Sequence, residues 1–300
     1  MDDRHLSALI GERHPTSSPA ALRRAEDYLT EQFRLLGLEV STHPFRALGD
    51  TYRNVIGTML PQKENGDCPP SPRGLSPFSS SPLIIAAHYD TVRGSPGADD
   101  NASALAVMLE VARCLRDVPL SREVRFITFC LEEENLLGSL AYVSSLKKDG
   151  HEIAGAIVLE CVGCAKSEEG SQRIPPGVSV AVPTVGDFLA IVGNTASAGL
   201  AAVVEGAAKE HVSGLKTVSL LVPGNGELLP DTRRSDHAAF WHYGYPAVML
   251  TDTADFRNPH YHQPTDTLDT LNLEFMDKVA RTVTATALNL AGAGMKKSVQ

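Results

Sequence analysis

Short stretches of strand length, most of them predominantly apolar, alternate along this chain with longer stretches whose apolar positions recur every three or four residues. The short runs have strand length and fall at residues 38–41, 52–57, 83–87, 124–130, 153–159, 189–192, 219–222 and 246–251. The periodic stretches, at 18–37, 103–116, 136–146, 196–211 and 272–293, predict helices. The first of these opens with Ser17-Ser18-Pro19 and stops at Gly37, an N-cap followed by an early proline and a terminating glycine. Strands that read as continuous apolar runs are buried on both faces. Their alternation with helices predicts a three-layer α/β/α sandwich with a mixed, largely parallel central sheet. Residues 61–81, PQKENGDCPPSPRGLSPFSSS, read as a flexible surface excursion between two strands of a single domain spanning 1–300.

Composition narrows the class. The 300 residues are 43% hydrophobic and 21% charged, enough for a sizeable core. The net charge of -9, with acids spread along the chain, argues against a nucleic-acid partner, because phosphate recognition needs clustered Lys and Arg. The N-terminus, MDDRHLSALIGERHP, is charged and lacks the apolar stretch of a signal peptide, and no run is long enough to span a bilayer. A cytoplasmic protein with no membrane partner is therefore expected. The five cysteines, Cys68, Cys114, Cys130, Cys161 and Cys164, are odd in number and fit a reducing compartment better than a disulfide scaffold. Cys161 and Cys164 form a lone C-x-x-C, short of the four ligands of a structural zinc site.

The candidate chemistry sits where parallel sheets bind ligands, at the carboxyl ends of strands. His88 and Asp90 leave the end of strand 83–87; His is a common zinc ligand, and an acid two residues on can fix its tautomer. Taken alone, that segment reads as a capped turn. Asp99-Asp100-Asn101 follows Gly97, and a carboxylate there could bridge two cations while the glycine lets the backbone turn around them. Glu132-Glu133-Glu134 follows strand 124–130, where crowded carboxylates repel unless cations or protons neutralise them. Alone it reads as a solvated turn. Glu160 ends strand 153–159 and needs a partner if buried. Arg257 to Asp266 carries His260 and His262, with Asp266 close by, and by itself reads as a polar surface loop. Four such clusters on one side of one sheet are hard to assign to coincidence.

The segments AHYDTVRGSPGADDNASALAVMLEVAR, FCLEEENLLGS, VLECVG, RRSDHAAFWHYGYPAVMLTDT and YHQPTDTLDTL, over residues 87–271, resemble the di-zinc aminopeptidase family. That family includes the bacterial leucyl aminopeptidases, with glutamate carboxypeptidase II, glutaminyl cyclases and the transferrin receptor as relatives. The resemblance implies an aminopeptidase that hydrolyses the N-terminal peptide bond of short peptides. Its cofactors would be two Zn2+ ions, replaceable by Mn or Co in vitro. His88, Asp99, Glu133, Glu160 and His262 would be the ligands, with Asp99 shared. Glu132 would be the general base towards a water between the ions. Glu160 stands where most members carry Asp. Asp90 would orient His88, with Asp266 behind His262, and Tyr261 would steady the oxyanion. Arg234 would line the amine pocket. Arg257, next to the last ligand segment, is read first as a structural ion pair, with contact to a substrate carboxylate as the alternative. The same resemblance admits a glutaminyl-cyclase-like acyltransferase, with one zinc, or a non-catalytic binding protein. Ser235-Asp236-His237 is too contiguous for a Ser/His/Asp triad and is expected to support the site from behind.

Overall fold

The computed structural model describes residues 3–61, 81–178 and 181–292. Nearly all of the expected 61–81 excursion, and Cys68 with it, lies outside the described residues. The chain begins with helices α1 (Asp3–Leu9) and α2 (Pro19–Leu35), followed by a hairpin of β1 (Glu39–Ala47) and β2 (Asp50–Met59). Then come β3 (Leu83–His88), α3 (Ala104–Leu115), β4 (Val124–Phe129), α4 (Leu137–Lys148) and β5 (Gly155–Glu160). The last part carries β6 (Phe188–Asn194), α5 (Ala198–His211), β7 (Lys216–Val222), α6 (His237–His242), β8 (Ala247–Thr251) and α7 (Leu273–Ala291).

All eight strands form one sheet in the order β1-β2-β4-β3-β5-β8-β6-β7. β4, β3, β5 and β8 run parallel, as do β6 and β7, while β1–β2, β2–β4 and β6–β8 are antiparallel. The two-residue period of a strand divides the core. Leu83, Ile85 and Ala87 face a cluster that includes Leu29 of α2, Leu105 of α3, Val204 of α5 and Val283 of α7. Ile84 and Ala86 face the opposite cluster, with Tyr142 of α4 and Phe240 and Trp241 of α6. This is the expected three-layer sandwich.

The β1–β2 hairpin is much longer than the two apolar runs 38–41 and 52–57 suggest. β1 lies at the sheet edge and is largely exposed, so it carries polar residues and tolerates Pro44. The described residues contain no helix long and apolar enough to cross a membrane.

The central strands deliver the chemistry to one end of the sheet. His88 and Glu160 are the last residues of the fully buried strands β3 and β5. Glu132 and Glu133 follow the end of β4, and the segment after β8 leads to Tyr261 and His262.

Candidate metal centre

His88 Nε2 lies 3.2 Å from Asp100 Oδ1 and 3.4 Å from Glu160 Oε2. His262 Nε2 lies 2.9 Å from the other Asp100 oxygen, Oδ2, and 3.3 Å from Glu133 Oε2. Glu132 Oε2 stands 3.9 Å from His88 Nε2. Asp100 therefore belongs to two ligand groups at once, His88–Asp100–Glu160 and Asp100–Glu133–His262.

The shared carboxylate is Asp100, where the sequence expectation placed Asp99. Asp99 turns away. Its oxygens accept from the Gly163 main-chain N–H (2.8 Å), Asn258 Nδ2 (2.6 Å) and Ser103 Oγ (3.2 Å). Neighbouring side chains in this non-helical stretch diverge; Asp100 itself has φ -105° and ψ 87°. Gly97, at φ +61°, makes the turn possible. A Cβ there would overlap the Asp100 carbonyl and the Thr91 methyl.

The surroundings fix the ligands. His88 Nδ1 lies 3.2 Å from the main-chain oxygen of Asp90. A proton on Nδ1 leaves the lone pair of Nε2 free to face Asp100 and Glu160. Asp90 does more than orient this ring. Its two oxygens accept from the main-chain N–H of Glu132 and Glu133, each at 3.1 Å. Asp266 holds the opposite wall by accepting from the main-chain N–H of Asp99 (2.9 Å) and Asp100 (3.2 Å), so it supports the Asp99–Asp100 turn directly. Ser235 donates to Glu160 Oε2 at 2.7 Å, which gives the Ser-Asp-His segment its supporting part. Asp236, beside it, is fully buried.

The electrostatics are those of a site prepared for cations. Burial pushes the Glu133 carboxyl up to about 8, with Asp100 adding repulsion. Burial likewise drives Glu132 well above the usual carboxylate range, Glu160 and Glu133 adding to it while His88 pulls down. Burial opposes the charged form of His262, yet Asp100 and Glu133 raise it to about 10. His88 Nε2, Asp100 Oδ1, Glu133 Oε1 and His262 Nε2 are buried and lack a hydrogen-bond partner among the described residues. Carboxylates and imidazoles aimed at one another and left unpaired suit divalent zinc, which neutralises the charge and fills the vacant lone pairs.

Tyr261 stacks on the His262 ring, 3.8 Å between centroids and 17° between planes. The Arg234 guanidinium lies 5.5 Å from the Tyr261 ring centroid and pairs with Asp255 at 2.8 Å. Glu160, Arg234 and Tyr261 also line a cavity of about 100 Å³ whose other walls include Phe188, Val192, Leu220, Met249 and Phe256. Arg257 stands away from the alternative role at a substrate carboxylate. It is buried, donating to Gln172 Oε1 (2.9 Å) and the Cys164 carbonyl (3.0 Å), with its guanidinium 4.5 Å from the Phe188 ring centroid. It braces the segment before β6 and is absent from the cavity beside the ligands. A larger open cleft of about 870 Å³ runs past Lys166, Arg173 and Lys278 and contains none of the candidate ligands. Cys130, Cys161 and Cys164 are buried free thiols, and Cys161 Sγ lies 3.2 Å from Glu160 Oε1.

Residues 73–287 match peptidase family M28. The chain belongs to peptidase family M28. It is 32% identical over 282 residues to the uncharacterized protein YfbL of Escherichia coli, covering 89% of this chain and 80% of that protein. It is 26% identical over 231 residues to leucine aminopeptidase 1 of Arthroderma otae, covering 71% of this chain and 55% of that enzyme. Among solved structures, it is similar to BSAP, a zinc aminopeptidase from Bacillus subtilis, with 26% identity and a TM-score of 0.58 over 84% of this chain and 53% of that one. An aminopeptidase from Aneurinibacillus sp. strain AM-1 gives 28% identity and a TM-score of 0.58 over 81% of this chain and 49% of that one. The chain thus spans about half the length of these three aminopeptidases. The family is one of peptidases, and of these relatives BSAP is named a zinc aminopeptidase.

Proposed function

We propose that this M28 chain is an aminopeptidase with two zinc ions, acting on short peptides whose N-terminal side chain is apolar. The observation that carries the reading is Asp100, which turns one oxygen towards the His88–Glu160 group and the other towards the Glu133–His262 group. Two three-ligand groups sharing one carboxylate favour a pair of ions over the single zinc of a glutaminyl-cyclase-like transferase. Bound there, zinc would supply Lewis acidity and bring a water within reach of ionisation at neutral pH.

The remaining chemistry belongs to the chain. Glu132 is anchored through its main-chain N–H to Asp90 and projects next to His88, where it takes the proton of the attacking water and returns it to the leaving amine. Burial, with Glu160 and Glu133 beside it, raises its affinity for a proton. Tyr261, whose ring stacks on His262, would donate to the developing oxyanion. The acidic groups Glu132 and Glu160 attract a protonated α-amine, which marks the substrate's first residue. Its side chain enters the cavity, where Phe188, Val192, Leu220 and Met249 form apolar walls and the charged lining residues are Glu160, Asp231 and Arg234.

The test is a set of Leu, Phe, Glu and Lys p-nitroanilides with added zinc, and with a chelator. Hydrolysis of Leu or Phe well ahead of Glu and Lys, abolished by chelation, supports the reading. Chelator-resistant hydrolysis refutes the metal-dependent part, and a preference for charged residues refutes the cavity assignment. Cyclisation of N-terminal glutamine without hydrolysis would transfer the chain to the transferase reading.

A further inference from the structure

The loop between the His88 and Asp100 ligands is clamped from a part of the chain that carries none of the site motifs. Arg13 lies in the connection between α1 and α2, outside the residues matched to the family, and is only 2% exposed. Its Nε donates to the Tyr89 carbonyl at 2.7 Å. Its Nη1 donates to the carbonyls of Leu9, Gly11 (2.8 Å) and Pro96 (3.1 Å), and its Nη2 to that of Gly97 at 3.2 Å. Its own main-chain N–H donates to Thr91 Oγ1 at 2.9 Å. Tyr89 immediately follows His88, and Gly97 opens the turn that presents Asp100. One guanidinium therefore ties together both ends of loop 89–97 and fastens them to the N-terminal segment. The next residue extends the strap: His14 Nε2 lies 3.6 Å from Glu134 Oε1, beside the Glu132–Glu133 turn.

The charge matters as well as the fork. Burial lowers the Arg13 pKa to about 10, while Asp100, Asp90, Asp266 and Glu133 pull it the other way, so it stays protonated at neutral pH. These carboxylates form or brace the metal centre, and a fixed cation behind them offsets part of their repulsion before any metal arrives. Lysine cannot replace it well, since one ammonium with three donors cannot span carbonyls on both sides of a loop.

We propose that Arg13 is a positioning residue for the metal centre, fixing the separation of His88 from Asp100 by clamping the loop between them. This inference rests on the zinc reading above. Arg13→Met and Arg13→Lys are compared with Leu29→Ala, which removes a fully buried side chain of α2, a helix packed on α1, β1 and β2. Near-UV circular dichroism checks the fold and thermal melting ranks stability. Zinc dissociation constants are obtained by competition with a chromogenic chelator, and the visible spectrum of the Co(II)-loaded protein reports ligand geometry. Leu29→Ala should lower Tm and leave the zinc constants and the Co(II) spectrum as in the wild type. Both Arg13 variants should bind zinc at least about ten-fold more weakly, the scale at which outer supports of metal ligands act, and show an altered Co(II) spectrum. If Arg13→Met does not fold, Arg13→Lys decides on the same criteria. Folded Arg13 variants with wild-type zinc constants and spectrum overturn the proposal. A wild-type protein that takes up neither metal would instead refute the zinc reading.

Discussion

Ser235→Ala isolates one bond at the back of the site. Ser235 is fully buried, and its hydroxyl donates to Glu160 Oε2 at 2.7 Å, while Glu160 Oε2 also faces His88 Nε2 at 3.4 Å. A hydrogen bond to a charged group contributes about 1.5–3 kcal/mol. At 1.4 kcal/mol per factor of ten, its loss corresponds to about a 10- to 150-fold weaker grip on zinc at the Glu160 position. The lost hydroxyl leaves a very small void, so the fold should survive. Two zinc dissociation constants are measured by chelator competition at one pH; the step involving His88 and Glu160 should weaken within that range, and the other should move far less. The same substitution in a Glu160→Gln background should add little, because its effect runs through the Glu160 charge. Unchanged zinc constants in Ser235→Ala, or an effect equally large in both backgrounds, would refute the reasoning.

Other consequences are equally open to measurement. Glu132→Gln should keep the wild-type zinc content by elemental analysis and lose about 10²–10⁴-fold in kcat, the usual contribution of a general base; normal turnover would remove Glu132 from that role. In the metal-free protein, Glu133 is raised to about 8 and His262 to about 10. Raised folded-state pKa values mean that the folded state binds protons more tightly, so these groups' stabilisation is present at low pH. It is lost as pH rises, from the ordinary carboxylate range to about 8 for Glu133 and from about 6.5 to about 10 for His262. Metal-free Tm should therefore fall between mildly acid and mildly alkaline pH, while zinc affinity rises as those protons cease to compete. A metal-free Tm that climbs through that range would contradict the assignment. Gly97→Ala should destabilise by about 1 kcal/mol or more in denaturant melts, because its Cβ meets the Asp100 carbonyl in a left-handed backbone.

The legible parts of this molecule were those fixed by burial. Strands β3 and β5 are covered on both faces, so they read as apolar runs, and a charged or imidazole side chain at the end of such a run stands out. That is why His88 and Glu160 could be singled out. Elements stabilised by contacts distant in sequence left weaker traces: α1 is a seven-residue helix that buries only Leu6 and Leu9, and most of β1 is exposed at an edge. The choice between Asp99 and Asp100 depended on backbone direction within one turn. Two adjacent aspartates carry no periodic signal to tell them apart, and the deciding partners, Gly163, Asn258 and Asp266, are remote in the chain. Arg13 was hidden for a related reason. In GERHP it resembles any charged residue of a surface turn, and only the fold brings Tyr89, Pro96 and Gly97 around it. Arg257 shows the converse: its place beside a ligand motif offered substrate contact as an alternative to a structural role, and the folded chain uses it to hold Gln172 and Cys164 together.

The most direct test is a crystal structure of the zinc-loaded protein with anomalous differences recorded at the zinc edge. The account requires two peaks roughly 3.5–4 Å apart, as in two-metal hydrolases. One should contact His88 and Glu160, the other Glu133 and His262, with an oxygen of Asp100 on each. A single peak, or a pair bridged by Asp99 with Asp100 turned away, would contradict it.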